Sequence, residues 1–199
     1  MQNTLLTIKR YTLDEFEAFI NLPEHEGRRF EYISGEIVEV SSKQIASFIA
    51  AKILILIGLY LHESDIGFLT GADGGYKIAG ERYIPDVAYM SYTRQAEVSN
   101  EGYNSIPPEL VVEVISDLDN KRERASLRRK VVNYLREGII IWVVDPQDRL
   151  VEVYEPDQPV KIFDEHDTIT AQNLLPDFVL KITDIFPPQT EEDSDEANI

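Results

Sequence analysis

The chain has 199 residues, a formal net charge of −17 and no cysteine. This length fits one domain with an adequate hydrophobic core, and 43% of the residues are hydrophobic. The lack of cysteine excludes disulfide bonds and thiolate metal sites, and the three histidines are too scattered for a structural zinc site. The acidic charge argues against a protein that binds nucleic acid without specificity, because such binding depends on neutralising phosphates.

The charge is unevenly distributed along the chain. Residues 190–199 hold five acids and no base, whereas residues 121–136 hold seven bases and one acid. We predict a single domain over residues 1–188 and a disordered acidic tail over residues 189–199. The basic segment is either a solvated helix face or part of a functional site. The first residues lack the apolar segment of a signal peptide, which predicts a cytoplasmic protein.

The first third of the chain predicts a helix, a hairpin and a long core helix. Thr12 and Glu15 fit a capping box that opens a helix to about residue 22. The sequence RFEYISGEIVEV predicts two strands that turn at Ser34-Gly35. The segment QIASFIAAKILILIGLYLHE is apolar around most of a helix but short of a membrane span. We predict that it is a core helix, without membrane association, and that its surplus apolar surface favours a homodimer.

The following segments alternate strands with one helix. GADGG, between DIGFLT and GYKIA, predicts a turn with positive φ angles. RYIPDVAYMS predicts one strand with Asp86 near its start, and PELVVEVIS predicts a buried strand that contains Glu113. A helix capped by Asp119 or Asn120 ends at Gly138 and leads into the strand IIIWVVDP, which predicts a parallel strand pair. The expected fold is therefore α/β (α+β), a mixed sheet with a helix on each side.

Asp86 and Glu113 are carboxylates within apolar strands. A buried carboxylate destabilises the fold unless a partner compensates its charge. On adjacent strands the two would repel each other, and a hard divalent cation such as Mg²⁺ or Mn²⁺ would relieve the repulsion. Together with a lysine from the basic helix, they suit water-mediated phosphodiester cleavage. Taken singly, Asp86 also fits a strand-end cap, and Glu113 also fits an edge residue that faces water.

Several segments, in this order, resemble the Uma2 family of bacterial restriction endonucleases, within the PD-(D/E)xK nuclease superfamily. The resemblance rests on ERYIPDVAYMS, PPELVVEVISDLD, RRKVVNYLREGIIIWVVDP and LVEVYEP, with RRFEYISGEIVEV and GFLTGADGGYKI in the N-terminal half. It covers about residues 10–156. It implies a restriction-endonuclease-like mixed sheet flanked by helices, with the N-terminal helix and β-hairpin as an extension. It also implies a divalent metal and hydrolysis of DNA.

The resemblance also assigns candidate catalytic residues. Asp86 matches the aspartate of the family's Pro-Asp motif, and Glu113 matches the glutamate that follows. The superfamily often places a lysine two residues later, where this chain has Ile115. Family members commonly carry that lysine on the next helix, and Lys130 fits that position, with Lys121 as the weaker candidate.

The resemblance further implies how these residues act. Asp86, Glu113 and the carbonyl of Val114 would hold Mg²⁺ or Mn²⁺, and Lys130 would orient water or stabilise the transition state. Glu36 matches a family glutamate that completes the metal shell, and Glu31 is a less favoured substitute. Candidate phosphate contacts are Arg124, Arg128 and Arg129.

This interpretation leads to one expectation about stability, and an alternative function also remains open. If the metal is the only cation at Glu113, Glu113→Gln is expected to leave the stability of metal-free protein unchanged or to increase it, because it removes an unpaired charge. The alternative function is a catalytically inactive nuclease fold that serves as an interaction module, which Ile115 and the net charge of −17 favour.

Overall fold

The computed structural model describes residues 9–40, 42–117 and 119–188. Its α-helices are α1 (Leu13–Ile20), α2 (Gln44–Ser64) and α3 (Lys121–Arg136). The strands, in chain order, are β1 (Phe30–Ile33), β2 (Glu36–Glu39), β3 (Gly67–Gly71), β4 (Gly75–Ile78), β5 (Glu81–Tyr83), β6 (Val87–Ser91), β7 (Tyr103–Asn104), β8 (Leu110–Val114), β9 (Ile140–Asp145), β10 (Leu150–Tyr154), β11 (Lys161–Phe163), β12 (Thr168–Ala171) and β13 (Leu175–Lys181). Short 3₁₀ helices occupy Pro23–His25 and Ile182–Asp184.

These strands form three sheets. The largest has six strands in the order β11-β10-β9-β8-β6-β3, the second has five in the order β2-β1-β5-β4-β7, and β12 pairs with β13. Within the large sheet, β8 and β9 are parallel and are joined through α3, while all other adjacent strands of this sheet pair antiparallel. The predicted α+β class and the predicted parallel pair are therefore confirmed.

The two faces of the six-stranded sheet have different coverings, because side chains alternate along each strand. On one face, which we call the α2 face, Leu110, Val112 and Val114 share a core with Ile53 and Ile57 of α2. On the opposite face, the α3 face, Val111 of β8 shares a second core with residues of α3 and of the five-stranded sheet. Glu113 has the same parity as Val111, so it points to the α3 face.

The local signals at the element ends are largely confirmed. Thr12 caps α1 with the predicted capping box, and Asn120 caps α3 by accepting two backbone N–H groups. Ser34 and Gly35 both have positive φ in the β1–β2 hairpin, which is the backbone geometry of a type I′ turn. Gly138 follows α3 with a φ of +76°.

The expected single strand RYIPDVAYMS is wrong. β5 and β6 belong to different sheets, and the residues from Ile84 to Asp86 connect them. Pro85 lacks the N–H that a continuous ladder requires, which is why the strand is interrupted there. The break lets the chain pass from the small sheet to the large one and leaves Asp86 immediately before β6.

The GADGG segment also differs from the expectation. β3 and β4, which flank it, lie in different sheets, and Gly71, Gly74 and Gly75 do not have positive φ. A Cβ on Gly74 would lie 2.7 Å from Thr70, and a Cβ on Gly75 would lie 2.6 Å from the Tyr103 ring. Close packing, rather than φ, therefore requires glycine at these two positions.

The helix α2, with 21 residues, is long and apolar enough to cross a membrane by length and composition, so the expectation that this segment is short of a membrane span is wrong. Its buried side chains include Ile49, Ile53 and Ile57, which pack in the core of the α2 face as predicted for a core helix. Its opposite side exposes Phe48, Ile55 and Leu59 to solvent. The predicted disordered tail, residues 189–199, lies outside the described residues, and the single-domain assignment of residues 1–188 stays a prediction.

Candidate active site

Strand pairing brings Asp86 and Glu113 together. β6 and β8 are antiparallel with Val87 opposite Val112, so one more step of the same register places Asp86 opposite Glu113. The Asp86 Oδ2 atom accepts a hydrogen bond of 2.7 Å from the N–H of Val114. The two carboxylates thus lie side by side on the α3 face, at the end of the sheet where β6 begins and β8 finishes.

Lys130 supplies the partner that Glu113 requires. Its Nζ atom lies 3.0 Å and 3.2 Å from the two carboxylate oxygens of Glu113, and the Tyr134 hydroxyl donates to Glu113 Oε1 at 2.8 Å. Glu113 and Lys130 are each only 8% exposed. The premise that a metal is the only cation at Glu113 is therefore wrong, and the expectation of a neutral or stabilising Glu113→Gln loses its basis.

Glu31 contacts the same ammonium from β1. Its Oε1 atom lies 2.8 Å from Lys130 Nζ and accepts a hydrogen bond of 2.7 Å from the N–H of Ile84. The Glu31 side chain is buried, so the ammonium is held between two buried carboxylates from different sheets. Glu36 lies at the start of β2, opposite Ile33 across the hairpin, and its side chain lines the cavity described below.

Burial and like charge shift the pKa values in this cluster. Burial, followed by repulsion from Glu113, raises the pKa of the Asp86 carboxyl to about 7. Burial alone would lower the pKa of the Lys130 ammonium, but attraction to Glu113 and Glu31 outweighs it and keeps that pKa above its usual value. Burial also raises the pKa of the Tyr134 hydroxyl well above its ordinary value. Lys130 is therefore charged and Tyr134 is a neutral hydrogen-bond donor at neutral pH.

An open cavity of about 440 Å³ gives solvent access to the cluster. The β1–β2 hairpin forms one wall, and the end of β8 with the first half of α3 forms the other. The polar side chains in its lining are Glu31, Glu36, Glu39, Asp86, Glu113, Ser116, Asn120, Arg122, Glu123, Ser126 and Lys130. Ile115, two residues after Glu113, also lines the cavity.

The candidate phosphate-binding arginines do not converge on this cavity. Arg124 and Arg128 are exposed on α3 and are not part of its lining. Arg129 forms an ion pair of 3.0 Å with Glu81. Arg122 instead lines the cavity and was missed in the sequence, although its spacing of eight residues from Lys130 places both on one side of a helix.

The role of Glu31 at the centre of the cluster was also underestimated. In the sequence, Glu31 and Glu36 are both carboxylates of one hairpin, and the family resemblance favours Glu36. β1 lies between β2 and β5 in its sheet, whereas β2 is the edge strand, which explains the deeper burial of Glu31. Only the tertiary arrangement shows that Glu31 is the more deeply buried of the two.

The family model for Uma2, described as "putative restriction endonuclease", matches residues 14–183. The chain belongs to the Uma2 family. Among solved structures, it resembles the crystal structure of a "putative nuclease belonging to DUF820" from Anabaena variabilis with a TM-score of 0.72 and 22% sequence identity. The similarity covers 85% of this chain and 96% of that chain. The Uma2 chain therefore has the fold of that crystal structure. A search of the curated proteins found no match.

The chemistry of the donor groups fits a divalent cation with few protein ligands. Within the part of the chain that the structure describes, no cluster of three or more Asp, Glu, His or Cys side chains is arranged as a metal site. Asp86 and Glu113 are nevertheless adjacent carboxylates, and burial, followed by repulsion from Glu113, raises the pKa of Asp86. Mg²⁺ is commonly held by one or two carboxylates and retains several waters, so this pair provides an adequate donor set.

Proposed function

We propose that this Uma2 protein is a metal-dependent endonuclease that hydrolyses phosphodiester bonds of DNA. The observation that carries the proposal is the convergence of Asp86, Glu113 and Lys130 on the floor of one solvent-accessible cavity. Two carboxylates and a lysine are the set that a cation and a developing negative charge on phosphate require. The family description, restriction endonuclease, supports DNA as the substrate.

Asp86, Glu113 and the backbone carbonyl of Val114 would hold Mg²⁺ or Mn²⁺. Such an ion supplies Lewis-acid chemistry, because it makes a water more acidic and offsets the charge that develops on the phosphate oxygens. The N–H of Val114 fixes one oxygen of Asp86, and Tyr134 fixes one oxygen of Glu113. These hydrogen bonds orient the carboxylates before any ligand arrives.

Lys130 places a permanent positive charge beside this carboxylate pair. There it would orient the attacking water or stabilise the extra negative charge on the phosphate in the transition state. Glu36 lines the cavity and would contact the cation through water. Arg122 lines the same cavity and is a better candidate for a phosphate contact than Arg124, Arg128 or Arg129.

The experiment that tests the proposal compares three alanine variants in plasmid and oligonucleotide cleavage with Mg²⁺ and Mn²⁺. Asp86→Ala is expected to lose cation binding and cleavage together. Lys130→Ala is expected to lose cleavage by about 10²-fold or more while still binding Mn²⁺. Lys121→Ala is the matched control, because Lys121 is an exposed lysine of the same helix. Wild-type cleavage by Lys130→Ala would contradict the assigned role of the lysine.

An interaction module on an inactive nuclease fold is the second candidate function. Ile115 stands in the cavity where the superfamily often has lysine, and the chain carries a net charge of −17, which repels DNA. This function predicts no cleavage by wild-type protein with any cation or DNA form. Cleavage that disappears in Asp86→Ala would exclude it.

We also propose a cytoplasmic homodimer. The exposed side chains Phe48, Ile55 and Leu59 of α2 follow each other at spacings of seven and four residues. This is the spacing of a coiled-coil seam, so a second copy of α2 is the proposed occupant.

A further inference from the structure

Lys130 contacts two carboxylates, although one would already compensate the charge of its ammonium. Its Nζ atom lies 2.8 Å from Glu31 and 3.0 Å from Glu113. Glu31 cannot turn away readily, because its Oε1 atom also accepts the N–H of Ile84 and its side chain is buried. Glu113, in contrast, must direct oxygen atoms to a cation if the proposed function is correct.

With a divalent cation bound, the charges of this cluster balance only when Glu31 is included. Glu31, Asp86 and Glu113 are three carboxylates beside one ammonium, which leaves two negative charges when all are ionised. One divalent cation at Asp86 and Glu113 would neutralise the cluster. Without Glu31, the same buried cluster would carry one surplus positive charge, and buried unpaired charge is strongly disfavoured.

We propose that Glu31 is a positioning residue that allows Lys130 and a divalent cation to occupy the site together. It holds the ammonium by a second carboxylate when Glu113 binds the cation, and it supplies the charge that makes both cations compatible. Glu31 therefore acts through Lys130 and not as a metal ligand. This inference rests on the proposed function, because it requires a cation at Asp86 and Glu113.

A double-mutant cycle of Mn²⁺ binding, in which the charges of Glu31 and Lys130 are removed singly and together, tests the inference. Isothermal titration calorimetry at pH 8 would compare wild type, Glu31→Gln, Lys130→Met and the double variant. Glu31→Gln is expected to weaken Mn²⁺ binding by about 10-fold or more, the usual effect of losing a residue that supports a metal ligand. Lys130→Met is expected to bind Mn²⁺ at least as tightly as wild type. The double variant removes one charge of each sign and is expected to recover wild-type affinity within about 3-fold.

Two further variants separate charge from structure. Glu31→Asp keeps the carboxylate and is expected to retain most of the Mn²⁺ affinity that Glu31→Gln loses. Glu39→Gln is the matched control, because Glu39 also lines the cavity but forms its ion pair with Arg28 at the exposed rim. Circular dichroism would establish that each variant is folded, and Lys130→Gln replaces Lys130→Met if that variant does not fold.

Each other outcome has a definite meaning. Glu31→Gln can be compared in two backgrounds, wild type and Lys130→Met. If it weakens Mn²⁺ binding equally in both, Glu31 acts on the cation directly and the inference is wrong. If Glu31→Gln binds Mn²⁺ as wild type does, the positioning role is also wrong. In both cases wild-type binding and cleavage remain, so the proposed function stands. If wild-type protein binds no Mn²⁺, the proposed metal site fails first and the role of Glu31 fails with it.

Discussion

On the α2 face of the six-stranded sheet, isoleucines of α2 pack against Leu110, Val112 and Val114 of β8. On the α3 face, the same strand presents Glu113 to Lys130 and Tyr134. Both faces are buried, and β8 supplies both through simple alternation of its side chains. The α2 face contributes apolar burial, whereas the α3 face contains a charged network that is costly to bury and therefore suggests function.

The largest effect on stability is expected on the α3 face. Lys130→Ala leaves two buried carboxylates without their cation, so the free energy of unfolding should fall by about 3–5 kcal/mol in metal-free protein. Urea unfolding in the presence of a chelator would measure the loss. Lys121→Ala, an exposed lysine of the same helix, should change stability by less than about 0.5 kcal/mol. Equal small effects in both variants would show that the buried network contributes little.

A comparable loss is expected on the α2 face, for a different reason. Ile53 is 0% exposed, and Ile53→Ala should cost about 2–5 kcal/mol through lost apolar contacts and the cavity that remains. Ile55 is 54% exposed on the same helix of the single chain and serves as control, with an expected change within about 0.5 kcal/mol for Ile55→Ala at concentrations where the protein is monomeric. Thermal and urea unfolding would measure both. A similar loss in the two variants would mean that the exposed side of α2 is covered in solution.

The two faces should also differ in their response to pH. The pKa of Asp86 is raised to about 7 by burial and by Glu113, so the folded state retains a proton that the unfolded chain has already released. Stability of metal-free protein should therefore fall as pH rises from about 4 to about 7, by an amount on the order of a few kcal/mol. Asp86→Asn removes this group and should flatten that part of the curve.

Unfolding curves for wild type and Asp86→Asn between pH 4 and pH 8 would measure the difference. The Ile53→Ala variant is the control, because an apolar substitution should lower stability equally at every pH. Parallel pH profiles for wild type and Asp86→Asn would show that the pKa of Asp86 is not raised.

The smallest effect on the stability of the single chain is expected at the exposed side of α2. Leu59 is 61% exposed, so Leu59→Lys should change the unfolding free energy of the monomer by only about 0.5 kcal/mol. In the proposed dimer, however, the lysine would enter the seam and cause dissociation. Light scattering at tens of micromolar would compare this variant with wild type. A wild-type protein that is monomeric at that concentration would exclude the dimer.

Local sequence signals predicted many of the elements. The capping box at Thr12, the hairpin at Ser34-Gly35 and the end of α3 at Gly138 depend on side-chain and backbone geometry within a few residues. The strand containing Glu113 was likewise evident from its apolar neighbours. The split of RYIPDVAYMS was missed because the two halves pair with strands that are distant in sequence, and the effect of Pro85 depends on that pairing.

The sequence by itself indicated Asp86 and Glu113, because carboxylates within apolar strands are a local feature, and the family resemblance added Lys130 on the following helix. Tertiary structure alone decided how they are connected. Register placed Asp86 opposite Glu113, and helix packing brought Lys130 to both Glu113 and Glu31. Glu31 and Glu36 belong to one hairpin, and only the position of β1 inside its sheet explains why Glu31 is the one buried against the ammonium. Such distinctions depend on contacts between distant segments, which local patterns do not encode.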